Sequence, residues 1–307
     1  MQPAFQEGCS PLSSTSQSIN NPAISIVIPF FNPGPFFISA LKSIFAQTFT
    51  DWELLLLDDG STDESLKIAS QICDQRVRVY TDGMNRGLSF RLNQGAQLGH
   101  AKYIFRMDAD DLMHPNRLAE QLEVLQSSQQ ETVVGTACYS IDESARVIGW
   151  HPVEARRHVG FSARHSFIHP TVAASTAWFR KNPYSDEFVY RRSEDAELWC
   201  RTASYTEFKW ICKPLLFYRE IGVFSLTNYL ATGKGLLHLI RELEPSRSRR
   251  WWLGAKERTK MTIAWGLDAL HCSDLMVQHR YSRLTATERA EAELVIDRVL
   301  NISIPMR

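Results

Sequence analysis

Short apolar runs alternate with segments of helical periodicity through residues 23–127 of this chain. The first run, AISIVIPF, is followed by FFISALKSIFAQ, in which apolar residues recur at helical spacing. The same order repeats at WELLLLD, RVRVY and KYIF, each of which precedes a helix-like segment. Strand–helix alternation of this kind predicts an α/β fold with a doubly wound, mostly parallel sheet and helices on both faces.

The second half of the chain is less regular. TVVGTACYSID and ARVIGWHP predict a small antiparallel region, RSEDAELWCRTASY predicts a helix, and EFKWIC and PLLFYRE predict two further strands. From about Ser225 onward the pattern is mostly helical. We therefore expect a disordered leader over residues 1–22, an α/β domain over residues 23–222 and a helical C-terminal extension over residues 223–307.

Charge and composition exclude several classes of protein. Lys plus Arg and Asp plus Glu number 34 each, so the chain lacks the basic excess of a nucleic-acid-binding protein. No apolar run approaches the ~20 residues of a membrane-spanning helix, and the polar N-terminus lacks the apolar core of a signal peptide. The six cysteines form no C-x-x-C pair, which argues against a zinc site or a disulfide framework. A cytoplasmic location is the expectation.

Polar side chains follow three of the predicted strands, at the point where each strand ends. Phe31 and Asn32 follow the first strand, Asp58 and Asp59 follow the second, and the sequence DADD at 108–111 follows the fourth. In open parallel sheets, ligands bind at the carboxyl ends of the strands. One such acidic turn could be merely solvated, but three polar clusters at successive strand ends favour a binding site.

The sequence FRMDADDL places three carboxylates within four positions. In extended backbone Asp108 and Asp110 point to the same face, where they form a hard-oxygen site suited to Mg²⁺ or Mn²⁺. Asp111 is expected on the other face, as a cap of the next helix. Asp58 and Asp59 could accept hydrogen bonds from a nucleotide base or a ribose hydroxyl. These residues predict a metal and nucleotide site but no particular reaction.

Three blocks of sequence resemble family 2 glycosyltransferases of the GT-A fold, whose sheet has a Rossmann-like nucleotide-binding half. They are ISIVIPFFNPGPFFISALKSIFAQTFTDWELLLLDDGSTDES, NRGLSFRLNQGAQLGHAKYIFRMDADDLMHPNRL with its D-x-D element, and the pair HPTVAASTAWFRK and SEDAELWCRTA. The resemblance covers roughly Ala23 to Arg219. The order of the blocks is specific, whereas a D-x-D element alone would be weak.

The resemblance implies a role for individual residues. Asp195 matches the catalytic base, Glu194 matches an acceptor-binding or orienting group, and Asp108 and Asp110 match the metal site, with Asp108 also near the ribose. Residues matching the nucleotide-sugar site are Pro29, Phe31, Asn32, Asp58, Asp59, Asn85, Arg86 and Gly87. Further candidate substrate contacts are His169, Trp199 and Arg219.

The implied activity is inverting transfer of a sugar from a nucleotide-sugar to a hydroxyl of a glycan or lipid-linked acceptor, in bacterial cell-surface polysaccharide biosynthesis. UDP is the preferred nucleotide, and Mn²⁺ or Mg²⁺ is the expected cofactor. Two alternatives are a nucleotidyltransferase and a non-catalytic nucleotide-sugar or glycan-binding module. The first would need a Lys- or Arg-bearing phosphate loop, which FFNPGP is not. The second would not need Asp195.

Two segments depart from the family pattern or stand outside it. YREIGVFSLTNY lacks the His that closes over the diphosphate in many relatives. RSRRWWLGAKERTK combines six basic residues with two tryptophans, which fits either a solvated basic helix with buried tryptophans or a peripheral contact with the inner face of the cell membrane. The sequence slightly favours the solvated helix with buried tryptophans, whereas a lipid-linked acceptor would favour the membrane contact.

Overall fold

A computed structural model describes residues 21–153, 167–220, 224–272 and 281–307 of the chain. Residues 1–20 of the predicted leader lie outside this range. The strands of the described residues are β1 (Ile24–Phe30), β2 (Trp52–Asp58), β3 (Val77–Tyr80), β4 (Tyr103–Arg106), β5 (Leu112–Met113), β6 (Thr132–Ile141), β7 (Val147–His151), β8 (Ala173–Ser175) and β9 (Glu207–Arg219). The helices are α1 (Phe37–Phe45), α2 (Ser65–Gln71), α3 (Leu88–Leu98), α4 (Arg117–Ser127), α5 (Thr176–Lys181), α6 (Glu194–Thr202), α7 (Leu226–Leu243), α8 (Arg247–Ala269) and α9 (Ala286–Leu300).

All nine strands form one mixed sheet in the order β3-β2-β1-β4-β8-β6-β9-β5, with β7 paired to β6. The first four strands in this order pair in parallel, as the strand–helix alternation predicts. Pairing turns antiparallel where β8 joins β4 and β6. The predicted α/β fold, with its parallel half and a smaller antiparallel region, is confirmed.

The parallel half is buried because alternate residues of each strand pack against different helix layers. Ile26 and Leu54 belong to one hydrophobic cluster, which includes residues of α1. Val27 and Leu55, their chain neighbours, belong to a second cluster that includes residues of α3 and α5. Continuous apolar runs such as ISIVIPF are therefore required, since both faces of the strand are covered.

The C-terminal helices pack on the α/β core at two places. Helix α7 contacts α6 and the 3₁₀ turn Phe188–Tyr190, and α8 lies along α7. Gly235 of α7 is needed at this contact, since a Cβ there would lie 2.1 Å from Ser193 Oγ. Helix α9, which begins with a capping box at Thr285, packs on α1 and β7. None of the helices in the described ranges is long and apolar enough to cross a membrane.

The structure corrects one predicted element. EFKWIC and PLLFYRE form a single strand, β9, rather than two. Pro214 lacks the N–H that a sheet ladder needs, which made a break plausible from the sequence. The partner strand β6 instead shifts its register on both sides of Ala137, and pairing continues past the proline.

Candidate active site

The three polar clusters meet at one edge of the sheet. Phe30 of β1 pairs with Asp58 of β2, and Val27 pairs with Arg106 of β4. The residues that follow these strands therefore leave the sheet side by side. The residues that follow β1 and β4 border a pocket of about 420 Å³, whose lining residues are Pro29, Phe30, Phe31, Asn32, Pro33, Phe36, Asp108, Ala109 and Asp110.

In the loop after β1, Asn32 holds the loop in place and Phe31 lies at the pocket. The backbone of Asn32 is left-handed, at φ 48°, a conformation that Asn tolerates. Its Oδ1 accepts hydrogen bonds from the backbone N–H groups of Thr62 and Asp63, at 2.7 and 3.2 Å. Pro29 is buried, whereas Phe31 is exposed beside the pocket. Asn32 thus ties the β1 loop to the β2 loop, and Phe31 presents its ring to solvent.

Asp58 holds the loops together. Its Oδ1 accepts a hydrogen bond from Ser61 N at 2.9 Å, and its Oδ2 accepts one from Thr81 Oγ1 at 2.7 Å. The residue is buried. Both carboxylate oxygens are therefore already engaged by the protein, and Asp58 links the end of β2 to the end of β3.

Asp59 organises the loop that carries Asn85, Arg86 and Gly87. Its carboxylate accepts hydrogen bonds from Arg86 N at 2.8 Å and from Gly87 N at 3.0 Å. Gly60 allows this approach: its φ is +80°, and a Cβ there would lie 3.0 Å from the carbonyl carbon of Met84. Asn85 itself is exposed. The structure thus brings the predicted Asp59 and the predicted loop into direct contact.

Arg91 is a buried residue of this site that the sequence interpretation missed. Its Nε donates to Asp59 Oδ1 at 2.9 Å, and its Nη2 donates to Asp82 Oδ1 at 2.5 Å and to Met84 O at 2.6 Å. Burial disfavours the charged guanidinium, but the hydrogen bonds to Asp82 and Asp59 outweigh it and raise the pKa of Arg91. A lone Arg at a core-facing position of an otherwise ordinary helix was the signal available in the sequence.

Arg106 is a second buried cation beside the acidic cluster. Its Nη2 lies 2.6 Å from Asp108 Oδ1, and its Nη1 lies 3.1 Å from Asp108 Oδ2. Burial opposes its charge, while the charge of Asp108 raises the pKa of Arg106. This pairing offsets part of the repulsion within the cluster. Each carboxylate oxygen keeps further lone pairs for a ribose or a metal.

Asp108, Asp110 and Asp111 each offer an oxygen within 4.8 Å of the others. Burial and the charge of Asp108 raise the pKa of Asp110 to about 6. Burial and the charges of Asp110 and Asp108 raise the pKa of Asp111 well above its ordinary value. A bound cation would offset the repulsion that raises these pKa values. Helix α4 begins at Arg117 with Asn116 as its N-cap, so the expectation that Asp111 caps the next helix is wrong.

The Asp111 carboxylate supplies a direct indication that the cluster suits a cation. It is buried, and its Oδ2 has no hydrogen-bond partner among the described residues. A buried acceptor left without a partner is costly, and a bound divalent ion would satisfy it. The residues that could hold such an ion are Asp108, Asp110 and Asp111, all hard oxygen donors.

Arg219 braces the acidic loop rather than facing the pocket with all its donors. Its backbone N–H donates to Asp111 Oδ1 at 2.8 Å, and its Nε donates to Asp110 O at 2.8 Å. Its Nη1 donates to Asp142 O, and its guanidinium lies 4.5 Å from the ring centre of Phe36. The segment beyond Glu220 that lacks the family's His falls at 221–223, outside the described residues.

The acceptor-side carboxylates lie at the start of α6. Burial, with the nearby charge of Asp195, raises the pKa of Glu194 to about 7. Burial also raises the pKa of Asp195, which is half-buried. The positive charge of Arg106 opposes this rise in the pKa of Glu194 and Asp195, and it likewise opposes the rise in the pKa of Asp111. Arg106 is therefore within electrostatic reach of both the acidic cluster and the α6 carboxylates.

His169 and Tyr184 complete this side of the site. His169 Nε2 lies 2.9 Å from Tyr184 Oη, and its Nδ1 lies 3.9 Å from Glu194 Oε1. Burial lowers the pKa of His169 well below its ordinary value, so the ring is neutral. Asn93 of α3 fixes Tyr184 by exchanging two 2.8 Å hydrogen bonds with its backbone. Tyr184 was not predicted from the sequence.

Trp199 lies in the core rather than on a pocket wall. Its side chain is fully buried and stacks on Trp178, with ring centres 6.2 Å apart. Phe167 meets it edge-on at 5.5 Å. The prediction that Trp199 contacts the acceptor does not agree with this placement. Trp199 thus anchors α6 in the hydrophobic core through Trp178 and Phe167.

The geometry agrees with a comparison to known families. The sequence profile described as glycosyl transferase family 2 matches residues 25–188, which is more than half of the chain. The chain belongs to glycosyltransferase family 2. The resemblance noted in the sequence is therefore confirmed.

Among curated family 2 relatives, EpsE of Bacillus subtilis, a provisionally named glycosyltransferase, is 31% identical over 187 residues. The matched region covers 59% of this chain and 67% of EpsE. Two solved structures share the GT-A fold with the present chain. TarS 1–349 of Staphylococcus aureus in complex with UDP has a TM-score of 0.57 at 14% identity and covers 91% of this chain and 81% of its own. The mannosyltransferase PcManGT of Pyrobaculum calidifontis, in complex with GDP-Man and Mn²⁺, has a TM-score of 0.53 at 13% identity and covers 95% and 88%. Against a longer TarS chain, the present chain spans only 42% of the length.

Proposed function

We propose that this family 2 glycosyltransferase is an inverting enzyme that moves a sugar from a nucleoside-diphosphate sugar, preferably a UDP-sugar, to a hydroxyl of a glycan or lipid-linked acceptor in cell-surface polysaccharide biosynthesis. The observation that carries the proposal is the acidic cluster of Asp108, Asp110 and Asp111, two members of which line the pocket at the carboxyl edge of the sheet. Complexes of TarS with UDP and with UDP-GlcNAc support a nucleotide-sugar donor.

The donor nucleotide would bind across the ends of β1, β2 and β4. Phe31 offers an exposed ring for the base or ribose, and Asp59 and the Arg86–Gly87 loop border the same edge. Asp59 Oδ2 accepts only a shared hydrogen bond from Gly87, so it keeps acceptor capacity for a base N–H or a ribose hydroxyl. The diphosphate would then lie towards Asp108 and Asp110.

A divalent metal fits the acidic cluster, and Mn²⁺ in the PcManGT complex supports Mn²⁺ or Mg²⁺ as the cofactor. Asp110 and Asp108 would hold it, with Asp111 Oδ2 as a further donor. When bound, such an ion offsets the negative charge that develops on the departing diphosphate. The Arg106 side chain orients the carboxylate of Asp108, and the backbone N–H of Arg219 orients that of Asp111.

Asp195 is the proposed general base. The acceptor hydroxyl oxygen attacks the anomeric carbon, a new C–O bond forms, and the bond from that carbon to the diphosphate oxygen breaks with its electron pair. Asp195 takes the hydroxyl proton as the bond forms. Burial raises the pKa of Asp195, which makes it a stronger base than an exposed Asp. A single displacement inverts the anomeric configuration.

The proposal includes a cytoplasmic setting, on the inner face of the cell membrane when the acceptor is lipid-linked. The observation in its favour is that no disulfide links the cysteines in the described part of the chain. Disulfides are rare in reducing compartments. Nucleic acid is not a proposed partner, because the net charge is zero.

The test is to incubate the enzyme with a panel of UDP-, GDP- and TDP-sugars and with oligosaccharide or lipid-linked acceptors. Turnover is measured as the release of the nucleoside diphosphate. We expect one donor to react with inversion, and Asp195→Asn to lower kcat by 10²-fold or more while leaving donor affinity within a few fold. The exposed Asp186→Asn variant is the matched control and should react as wild type. Full turnover by Asp195→Asn would remove the proposed mechanism.

A further inference from the structure

Helix α8 exposes three large aromatic side chains. The exposed fractions of Trp251, Trp252 and Trp265 are 73%, 55% and 61%. Every exposed tryptophan of the described residues lies on this helix. Ile263 and Leu270 are exposed on the same helix and just beyond its end. Buried tryptophans, the reading slightly favoured from the sequence, are therefore wrong for this segment.

The exposed side of α8 is also cationic. Arg249, Lys256 and Arg258 are exposed, and Lys256 Nζ lies 5.2 Å from the ring centre of Trp252. Glu257, by contrast, is buried and pairs with Lys260 at 3.3 Å. The helix thus turns this carboxylate inward and its aromatic and basic side chains outward.

A pocket of about 250 Å³ lies between α7 and α8 and is lined by arginines. Arg241, Arg247 and Arg258 have no ion-pair partner among the residues that the structure describes. Arg250 donates from Nε and Nη2 to the carbonyl oxygen of Glu244, at 3.0 and 2.8 Å, which leaves its Nη1 side open. The pocket residues are Leu237, Ile240, Arg241, Arg247, Arg250, Trp251, Gly254 and Arg258. Four arginines therefore line one opening, and guanidinium groups are well suited to hydrogen-bond phosphate.

The spacing of these residues places them on one side of a long helix. At about 100° per residue, Trp251 and Trp265 differ by roughly 40° around the helix axis, and Trp252 and Trp265 differ by roughly 140°. The three tryptophans therefore span the side of α8 that lies opposite the buried Glu257 and Ala264. The 23 residues of α8 extend over about 34 Å. When a helix of this length lies flat, Trp251 and Trp265 can enter a planar surface together, with Trp252 at the edge of the contact.

We propose that α8 and its arginine pocket dock this protein on an anionic phospholipid surface. The tryptophans and the aliphatic side chains enter the headgroup region, and lipid phosphates occupy the pocket of Arg241, Arg247 and Arg258. This combination of Trp and Arg or Lys on one helix face is the arrangement that binds membrane interfaces. The inference goes beyond the transferase reaction and does not depend on it.

Charge complementarity favours a lipid surface over other occupants of this face. In a symmetric dimer the same patch would meet itself, so basic side chains would lie against basic side chains. A nucleic acid would match the charge and could stack on the tryptophans, but the exposed aliphatic side chains of Ile263 and Leu270 offer it neither hydrogen bonds nor a ring to stack on. An anionic bilayer satisfies both the basic and the apolar side chains.

The test is cosedimentation of the full chain with vesicles of neutral phosphatidylcholine and of phosphatidylcholine with 30% phosphatidylglycerol. We expect binding to the anionic vesicles, weakened at high salt because the charges are exposed. Arg241→Gln/Arg247→Gln/Arg258→Gln should weaken binding by roughly a hundredfold, from about fivefold for each basic residue near the surface. Trp251→Ser/Trp265→Ser should also weaken it.

The matched control for charge is Arg283→Gln/Arg289→Gln/Arg298→Gln, which removes three exposed arginines near or on α9. We expect this variant to bind anionic vesicles as wild type does. Equal loss in the control would mean that general charge, not the α8 surface, drives binding, and would overturn the proposal. Absence of binding to anionic vesicles would overturn it as well. If the protein that does not bind vesicles is a dimer in solution, and Trp251→Ser/Trp265→Ser dissociates that dimer, the α8 surface would be assigned to a second copy of the chain. Loss of transferase activity alone bears on neither result.

Discussion

Replacing Glu194 by Gln should change how the stability of this enzyme depends on pH. Burial and the charge of Asp195 raise the pKa of Glu194 to about 7, from an ordinary value of 4.5. Between these values the folded protein binds more protons than the unfolded chain, so the stability of the wild type falls as pH rises from 4.5 to 7. At 1.36 kcal/mol per pKa unit, the full loss is about 3 kcal/mol above pH 7.

Gln cannot ionise, so the Glu194→Gln variant should escape this loss. From the same two pKa values, we expect the unfolding free energy of the variant, relative to wild type, to rise by about 2 kcal/mol between pH 5.5 and pH 8. Urea unfolding at both pH values, without added metal, measures the difference. The exposed Glu123→Gln variant is the control and should show no such change. If the difference in unfolding free energy between Glu194→Gln and wild type does not change with pH, the raised pKa of the buried Glu194 carboxyl group is refuted.

Three further predictions concern the loops and the metal site. Gly60→Ala should lower the unfolding free energy by about 1–3 kcal/mol more than Gly83→Ala does. Both glycines have a positive φ, but only at Gly60 would a Cβ meet the backbone of the neighbouring loop. Urea unfolding of the two variants measures the difference, and equal losses would contradict the prediction. Arg91→Met should cost about 3–5 kcal/mol by the same assay, because it removes the buried counter-charge of Asp59. Arg86→Met should cost below about 1 kcal/mol, because its ion pair with Asp82 is exposed, and similar losses in the two variants would contradict the burial argument. Asp110→Asn should weaken Mn²⁺ binding at least tenfold in metal titration, and unchanged affinity would remove this residue from the metal site.

The parallel half of the sheet was predictable because periodicity alone determines it. Strands covered on both faces need continuous apolar runs, and the helices between them need apolar residues at helical spacing. β9 was divided in error at Pro214, since accommodation of that proline depends on a register shift in β6, a distant strand. Such a compensation involves two segments about 75 residues apart and leaves no local signal.

The acidic members of the site were predictable, but their cationic partners were not identified. Arg106 stands two residues before Asp108, so the alternation of a strand already placed both side chains on one face. That signal was available and unused. Helical spacing could have indicated a core-facing Arg91, but its partners, like the position of Tyr184, depend on the approach of loops and helices, which the sequence does not encode locally. The exposure of Trp251 likewise depends on which face of α8 packs against α7.

The central claim is that the carboxylates at the end of β4 hold a metal and a nucleoside diphosphate. Calorimetric titration with UDP, GDP and TDP, each with and without Mn²⁺, tests it on wild type, on Asp110→Ala and on the exposed control Glu123→Ala. The account predicts Mn²⁺-dependent binding of one diphosphate, UDP first, which is lost in Asp110→Ala and kept in the control. Absence of binding by every diphosphate, or binding that is unchanged in Asp110→Ala, would contradict it.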